Sequence, residues 1–256
     1  MKTVLTIAGF DPSAGAGVLA DIKTIGAFGC FGVAAVTGIT EQNTLGVFGA
    51  RGIEPELVSR QIKVLLEDFH IAAAKTGMLP TPECVMAVAD ALSEARIRNL
   101  VVDPVLRSTS GYLFADSGVI DALVKYLFPL ASLVTPNASE AALITKIDVK
   151  DIESMERAAR AIVDLGVRAV LVTGGDLEGG MATDVLVTSD RTVAISEEKV
   201  ASINTHGTGC ALSSAIACLL AMEGSLEESI RKAKRYVAEA IRTAPGLGKG
   251  RGPLNL

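Results

Sequence analysis

The segment NLVVDPVLRSTSGYLFADSGVIDALVKYLFPLASLVT, residues 99–135, decides the fold class of this chain. Two apolar runs, 99–105 and 132–135, flank a stretch with helical periodicity. Asp116 is the predicted N-cap of that helix, and Pro129 is expected to end it. A strand, a helix and a second strand in this order form a right-handed unit whose two strands are parallel.

The same alternation continues on both sides of this segment. Four further apolar runs predict strands at residues 3–8, 168–173, 184–188 and 192–195. Three more helices are predicted behind good N-cap residues: Thr81, Asp151 and Ser225, the last of which forms a capping box with Glu228. The basic cluster of the last helix is expected to face solvent, at Arg231, Lys232, Lys234 and Arg235.

Residues 184–195 break the alternation. Two short apolar runs on either side of Ser189 predict an antiparallel hairpin at one edge of the sheet. The first four apolar runs are nearly continuous Val, Ile and Leu, as in strands covered on both faces. We therefore expect an α/β fold, a three-layer doubly wound and mostly parallel sheet with an antiparallel edge hairpin, in a single domain spanning residues 1–256.

Composition excludes several classes of protein. The 256 residues carry 24 Lys and Arg against 29 Asp and Glu, and the net charge of −5 argues against a nucleic-acid-binding protein. A hydrophobic fraction of 49% excludes disorder, and no apolar run is long enough to span a membrane. The first residues do not resemble a signal peptide, and the four cysteines form no CxxC pair. Reduced thiols and a cytoplasmic location are expected.

The strongest local signal is NTHGTGC, residues 204–210, ahead of a helix that is apolar or small on nearly all sides. Such a helix is expected to be buried. Its glycine-rich start exposes backbone N–H groups, which together with the helix dipole favour an anion. The alternative is an ordinary tight turn.

A second glycine cluster, residues 9–17, follows the first predicted strand. Gly15-x-Gly17-x-x-Ala20 matches the dinucleotide fingerprint loosely, but six residues separate Ala8 from Gly15, which is too long for that turn. A loop that lets the backbone approach a small ligand explains the glycines equally well.

Asn137 and Glu140 stand at the start of a predicted helix, on one face. An amide and a carboxylate so placed suit a water-coordinated Mg²⁺, although the same pattern is a common helix cap. No Walker A sequence occurs, and two histidines are too few for a histidine-built zinc site.

Seven short motifs stand in order along the chain: TIAGxD (6–11), QNT (42–44), KTGML (75–79), DPV (103–105), TPNxxE (135–140), Gly174-Gly175 and NTHGTGC (204–210). In this order they resemble the hydroxymethylpyrimidine/phosphomethylpyrimidine kinases, thiamine-pathway enzymes of the ribokinase-like superfamily. The resemblance covers nearly the whole chain. Each motif alone is weak, but the ordered set is specific.

The resemblance implies a ribokinase-like fold and an activity. The expected reaction is ATP- and Mg²⁺-dependent phosphorylation of 4-amino-5-hydroxymethyl-2-methylpyrimidine, and then of its monophosphate to the diphosphate. It also implies a small-molecule substrate, a cytoplasmic homodimer, and no nucleic-acid or membrane partner.

The resemblance further assigns site residues. The expected anion hole and catalytic group are Gly207, Thr208, Gly209 and Cys210. Cys210, at a helix N-terminus, is expected to have a depressed pKa and to accept the hydroxymethyl proton, or else to be a small spacer. The expected substrate-binding residues are Gly9, Asp11, Ala16, Asp21, Gln42, Met78 and Val105. The expected nucleotide-binding residues are Asp103, Asn137, Glu140, Thr173 and Gly175, with Asp103 and Glu140 also at the metal.

Two departures from the family pattern keep alternatives open. Thr173 replaces a phosphate-contacting lysine of some pyrimidine kinases, and residues 106–111 differ from the usual Met-x-x-Lys-Ser-Gly stretch. Arg107 is a candidate replacement cation. The nearest alternative is a pyridoxal or pyridoxine kinase of the same fold. More remote alternatives are an NAD-dependent oxidoreductase and a binding protein without activity.

Overall fold

The structure is a computed structural model that describes residues 1–108, 110–175, 177 and 179–256. The strands of this described part are β1 (Thr3–Phe10), β2 (Phe31–Asn43), β3 (Gly46–Gly52), β4 (Ile71–Thr76), β5 (Leu100–Val102), β6 (Leu133–Val134), β7 (Ala169–Val172), β8 (Met181–Thr188) and β9 (Thr192–Glu198). The helices are α1 (Gly17–Ala27), α2 (Pro55–Asp68), α3 (Pro82–Ala95), α4 (Ser117–Ala122), α5 (Ala138–Thr145), α6 (Ile152–Val163), α7 (Thr208–Ala221) and α8 (Leu226–Arg242). A π-helical turn (Leu123–Leu127) and a 3₁₀ turn (Phe128–Leu130) continue α4 through Pro129.

The described strands form one nine-stranded sheet in the order β3-β2-β1-β4-β5-β6-β7-β8-β9. Strands β2, β1, β4, β5, β6 and β7 are parallel to one another. The remaining pairs, β2–β3, β7–β8 and β8–β9, are antiparallel. The doubly wound, mostly parallel sheet is therefore confirmed, and antiparallel strands lie at both of its edges.

Helices cover both faces of the sheet. One apolar cluster joins the sheet to α2, α3 and α6, through buried residues such as Ile62, Val85 and Ile162. The other joins it to α1, α7 and α8, through residues such as Ile25 and Ile216. Helix α7 is apolar nearly all round because it lies between the sheet and α8, as its composition predicts.

The strand order reverses next to β1. Strand β2 lies on one side of β1, and β4 with the remaining parallel strands lies on the other. Ligands of open α/β sheets bind at such a switch point, at the carboxyl ends of the strands. A register shift between Ala8 and Gly9 bends the end of β1 at this position.

The predicted helix caps are mostly confirmed. Thr81 accepts a hydrogen bond from Cys84 N, Asp116 from Val119 N, and Asp151 from Ser154 N. Ser225 does cap α8 by position, but its side chain makes no capping hydrogen bond, so the predicted capping box is wrong.

The basic cluster of α8 was predicted to face solvent as a whole, and this is wrong for Lys234. Its side chain is 9% exposed, and its Nζ lies 2.6 Å from Asp184 Oδ2 on β8. Asp184 also accepts a hydrogen bond from Gly174 N. The periodicity of the helix alone did not reveal a carboxylate buried opposite this lysine. None of the helices in the described residues has both the length and the apolar character needed to cross a membrane.

Replacing Lys234 by alanine is expected to lower the free energy of unfolding by about 3 kcal/mol, because it leaves Asp184 buried and unpaired. Lys232→Ala is the matched control, since Lys232 is on the same helix, half exposed, and pairs with Glu228 on the surface. That control is expected to cost less than about 0.5 kcal/mol. Urea denaturation measures both. Equal losses would contradict the burial argument.

Candidate active site

A cavity of about 510 Å³ opens at the carboxyl ends of the parallel strands. A second cavity, of about 460 Å³, adjoins it. Both are lined by Thr173, Thr205, Thr208, Gly209, Leu212 and Arg251. The two cavities therefore meet at the N-terminus of α7.

The structure brings most of the predicted site residues together. The first cavity is lined by Gly9, Asp11, Ala16, Gln42, Met78, Asp103, Val105, Asn137, Glu140, Thr173, Gly207, Thr208, Gly209 and Cys210. Gly175 lines the second cavity. Asp21 lines neither.

Asp21 is buried beneath the site, and its assignment to the substrate stays a prediction. Lys75 Nζ lies 2.9 and 3.0 Å from the two Asp21 oxygens, and both side chains are fully buried. Thr6 and Ser214 also donate hydrogen bonds to this carboxylate, over 2.6 and 2.9 Å. With every contact on the protein side, the carboxylate ties β1, α1, β4 and α7 together rather than facing the cavity.

The turn before α7 has a backbone conformation that suits glycine. Gly207 has φ of +87°, and a side chain there would collide with the carbonyl of Gly15. The first N–H groups of a helix have no partner within that helix, so α7 offers them to the junction of the cavities. The N-cap residue, Gly207, has no side chain with which to cap this end. An anionic group placed there would also meet the positive end of the helix dipole.

The depressed pKa predicted for Cys210 is wrong for the ligand-free protein. The pKa of the thiol is raised to about 12, mainly by burial and in addition by the carboxylates of Asp21 and Asp103, against the opposing charge of Lys75. Burial is the largest of these effects, and it outweighs Lys75 and the Gly17 N–H, which favour the thiolate. Cys210 is therefore a protonated thiol at neutral pH.

Asp103 follows β5 and is almost completely buried. Burial raises its pKa to about 6, while Lys75 lowers it and Asp21 adds to the increase. Ser213 of α7 donates a hydrogen bond to its Oδ2 over 3.2 Å. Asp103 thus carries a charge at pH 7, at a cost in stability, in the wall of the first cavity.

Asn137 and Glu140 form the capping box of α5. Asn137 Oδ1 accepts from Glu140 N, and Glu140 Oε2 accepts from Asn137 N, each over 3.0 Å. The other oxygen of Glu140 accepts from Leu106 N over 3.2 Å. The helix-cap interpretation is therefore correct, and it places a buried carboxylate on the cavity wall. The described residues contain no cluster of three or more metal-ligating His, Cys, Asp or Glu side chains.

Two arginines supply positive charge at the cavity wall. Arg107 lines the first cavity from the stretch between β5 and α4, in which Thr109 lies outside the described residues. Arg251 lines both cavities, which the sequence did not indicate. The segment around it is held by the turn between β2 and β3: Lys249 N and Gly250 N donate to Thr44 Oγ1 over 3.1 and 3.2 Å, and Arg251 N donates to Thr44 O over 2.8 Å.

A polar cluster in the wall of the first cavity centres on His206. Its Nε2 lies 2.8 Å from Asp11 Oδ2 and 3.0 Å from Gln42 Nε2. Asp11 also accepts from Ser13 N, Ser13 Oγ and Ala16 N. Burial opposes ionisation of Asp11, but the hydrogen bonds with His206 and Ser13 hold the pKa of its carboxyl below its usual value. The role of His206 was missed, although the residue lies within the NTHGTGC motif.

In the absence of metal, Asp103→Asn is expected to stabilise the protein at pH 8 by on the order of 2–3 kcal/mol, because it removes a buried charge. A raised carboxyl pKa means that the folded protein holds the proton more tightly than the unfolded chain does. The cost of ionisation is thus complete above pH 6 and largely absent at pH 4. Denaturation at both pH values measures it, with the exposed Asp90→Asn as the control. A gain that is independent of pH would contradict the prediction.

Comparison with known proteins places the chain in a family. A family model described as phosphomethylpyrimidine kinase matches residues 11–255. A thiamine biosynthesis bifunctional protein of Geobacter sulfurreducens is 44% identical over 253 residues, which are 99% of this chain and 52% of that protein. The chain thus spans about half the length of this relative.

Solved structures agree with the fold. A phosphomethylpyrimidine kinase of Clostridium difficile is 38% identical, with a TM-score of 0.83 over 94% of this chain and 100% of that one. A pyridoxal kinase of Staphylococcus aureus in complex with AMP-PCP is 30% identical, with a TM-score of 0.92 over 100% of this chain and 93% of that one. On the match to residues 11–255 and on these identities, the chain belongs to the phosphomethylpyrimidine kinase family.

Proposed function

We propose that this chain transfers the γ-phosphoryl group of ATP to 4-amino-5-hydroxymethyl-2-methylpyrimidine, and then to its monophosphate, in thiamine biosynthesis. The observation that carries this proposal is the meeting of two cavities at the bare N-terminus of α7. A small ring in the first cavity and a nucleotide in the second would bring their reacting groups to one anion-binding helix end. The whole chain would then act as one kinase domain.

The ring site is lined by backbone, aliphatic groups and one amide. Met78 lies against Gly9, where a side chain Cβ would come within 2.6 Å of its methyl group. Val105 and Ala16 add small apolar surfaces. Gln42 stands at a register shift in β2, where a bulge re-aims side chains, and its amide can both donate to and accept from an aminopyrimidine edge.

Phosphoryl transfer depends on positioning and on neutralising charge rather than on covalent chemistry. The backbone N–H groups of Gly207–Cys210 would hold the transferred group. Arg107 and Arg251 are proposed as the cations that stand in for the lysine absent at Thr173, because both line the first cavity. The second reaction needs this charge more, since its acceptor is itself a phosphate.

We propose that the nucleotide binds as its Mg²⁺ complex. Mg²⁺ keeps most of its waters and takes only one or two carboxylates besides phosphate oxygens, and the buried carboxylates of Asp103 and Glu140 on one cavity wall fit that donor set. The ion would neutralise phosphate charge. Asn137 orders this wall through the capping box, which fixes Glu140.

Cys210 is proposed as the acceptor of the hydroxymethyl proton. Because its thiol is protonated in the ligand-free protein, only the thiolate fraction favoured by Lys75 would be active. The Gly17 backbone N–H also donates to this sulfur and favours its charged form.

A homodimer in the cytoplasm is also proposed. The edge hairpin β2–β3 exposes three large apolar side chains, Ile39, Leu45 and Phe48, which suit a second copy of the chain. The four cysteines are free thiols, as suits a reducing compartment. Light scattering on the wild type and on Phe48→Glu would test the dimer.

A pyridoxal kinase activity is the second candidate. Thr173 and the likeness to the Staphylococcus aureus pyridoxal kinase favour it. ADP release measured with the pyrimidine, its monophosphate and pyridoxal separates the two by their kcat/KM values. A clear preference for pyridoxal would overturn the proposal, and binding of the pyrimidine without ADP release would indicate a binding protein. Stabilisation by NAD rather than by Mg·ATP would indicate an oxidoreductase.

Cys210→Ala is expected to lower kcat by more than about 100-fold, the scale of a lost general base. In the wild type, kcat/KM for the hydroxymethyl substrate should rise with pH into the alkaline range, because the free enzyme must lose a proton whose pKa is about 12. Cys210→Ser keeps the size of the side chain and serves as the control. Near-normal turnover by the alanine variant would make Cys210 a spacer.

A further inference from the structure

We propose that His206 is a positioning residue that fixes the orientation of the Gln42 amide, and thereby the donor–acceptor order of the ring that the site accepts. The inference rests on the proposed function, because it concerns how the ring site discriminates among heteroaromatic substrates. It follows from hydrogen bonds around one nitrogen atom.

The Asp11 carboxylate determines the proton on His206. Asp11 Oδ1 accepts from Ser13 N and Ser13 Oγ, over 2.8 and 2.7 Å, and Oδ2 accepts from Ala16 N over 2.9 Å. A carboxylate held by three donors is ionised and can only accept. His206 Nε2, 2.8 Å from Oδ2, must therefore carry a hydrogen, whether the ring is neutral or charged.

This proton restricts Gln42. With Gln42 Nε2 3.0 Å from His206 Nε2, two N–H groups would face each other. A half-turn of the amide exchanges its oxygen and nitrogen, which have nearly the same shape. The oxygen then receives the His206 hydrogen as a second acceptor beside Asp11. The repulsion in one orientation and the attraction in the other define the preferred state.

Thr40 supports the same orientation from the other side. Its Oγ1 lies 3.1 Å from Phe10 O and 3.2 Å from Gln42 Oε1, and its single hydrogen can serve only one of these two acceptors. With that hydrogen on Phe10 O, two oxygens without a hydrogen face each other, and the half-turn of the amide replaces Oε1 by Nε2. Since its one proton is used, the hydroxyl oxygen is an acceptor for the Gln42 N–H. One N–H and one oxygen lone pair of the amide then remain for a ligand, in a fixed order.

The ring of His206 is held in place by close packing. A side chain at Gly15 would overlap the imidazole, and the backbone N–H of His206 donates to Gly252 O over 3.2 Å. The imidazole is 10% exposed. The residue that orients Gln42 is therefore itself fixed by the 11–17 loop and by the segment around Gly252.

A fixed amide discriminates between rings with opposite edges. The aminopyrimidine offers a donor, its amino group, beside an acceptor, its ring nitrogen. The 4-oxo analogue, 5-hydroxymethyl-2-methylpyrimidin-4(3H)-one, offers an acceptor beside a donor. If the Gln42 amide pairs with the amino compound, its N–H and oxygen are left without partners when the 4-oxo analogue binds. This lowers kcat/KM for the analogue by about 100-fold or more.

The experiment compares kcat/KM for the amino and oxo compounds in four proteins. The wild type is expected to favour the amino compound by about 100-fold. His206→Leu removes the N–H and should reduce this ratio at least about tenfold, mainly by raising KM for the amino compound, because the amide can then turn. His206→Gln keeps an N–H near the same position and should retain the ratio. His70 is the only other histidine of the sequence and is exposed, so His70→Leu should leave the substrate ratio unchanged.

A second measurement does not depend on turnover. Long-range ¹H–¹⁵N spectra of the ligand-free protein should show a hydrogen on His206 Nε2, and His70→Gln assigns the signals, since the chain has two histidines. An Nε2 without hydrogen would overturn the proposal, as would an unchanged substrate ratio in His206→Leu. If that variant does not fold, Thr40→Val, which removes the hydroxyl that orients the Gln42 amide from the other side, must lower the substrate ratio. A wild type that phosphorylates neither pyrimidine would overturn the proposed function instead, while the spectra still decide the proton on His206.

Discussion

The buried ion pair between Lys75 and Asp21 is the interaction on which the site depends. It lies where the strand order reverses, and its partners come from both sides of that point: Thr6 of β1, Lys75 of β4 and Ser214 of α7 meet at one carboxylate. A buried charge is tolerated only when it is paired and hydrogen-bonded, so these elements are held in one arrangement. The N-terminus of α7 is therefore placed by charge as well as by apolar packing.

The same ion pair does not cancel all the charge beneath the cavity. Asp21 neutralises Lys75, and Asp103 then remains as an additional buried negative charge. This excess adds to the larger effect of burial in keeping Cys210 protonated at a helix end that ordinarily favours a thiolate. The Mg²⁺ proposed to accompany the nucleotide would offset this negative charge when bound. In the ligand-free protein, the negative charge of Asp103 therefore remains uncompensated beneath the cavity.

Sequence patterns predicted the parallel core of the sheet, the β8–β9 hairpin and most helix caps, and nearly all of the predicted site residues line the cavities. They missed β2, β3, β4 and α2, because Gly32, Gly38 and Gly49 interrupt the apolar pattern of β2 and β3, and alanines dilute that of β4. They misplaced Lys234, and they did not reveal that Asp21 pairs with Lys75 beneath the cavity. Both are charged residues on helix faces, where the sequence shows the charge but not the buried partner from a distant strand. The order of the motifs predicted which residues line the cavities. The pairing of buried charges could be seen only in the folded structure.

The clamp between Thr44 and residues 249–251 has a consequence for how the protein is made. Thr44, in the turn after Gln42, accepts hydrogen bonds from the backbone of Lys249 and Gly250, which lie 205 and 206 residues later in the chain. During synthesis, the β2–β3 edge and the His206 loop leave the ribosome first. Residues 249–251, which bind the turn between β2 and β3, leave it later. Contacts of such sequence separation form late and slowly. A nascent chain would therefore form the sheet with its strand order before the first cavity is complete, because Arg251 and the backbone groups bound by Thr44 come more than 200 residues later.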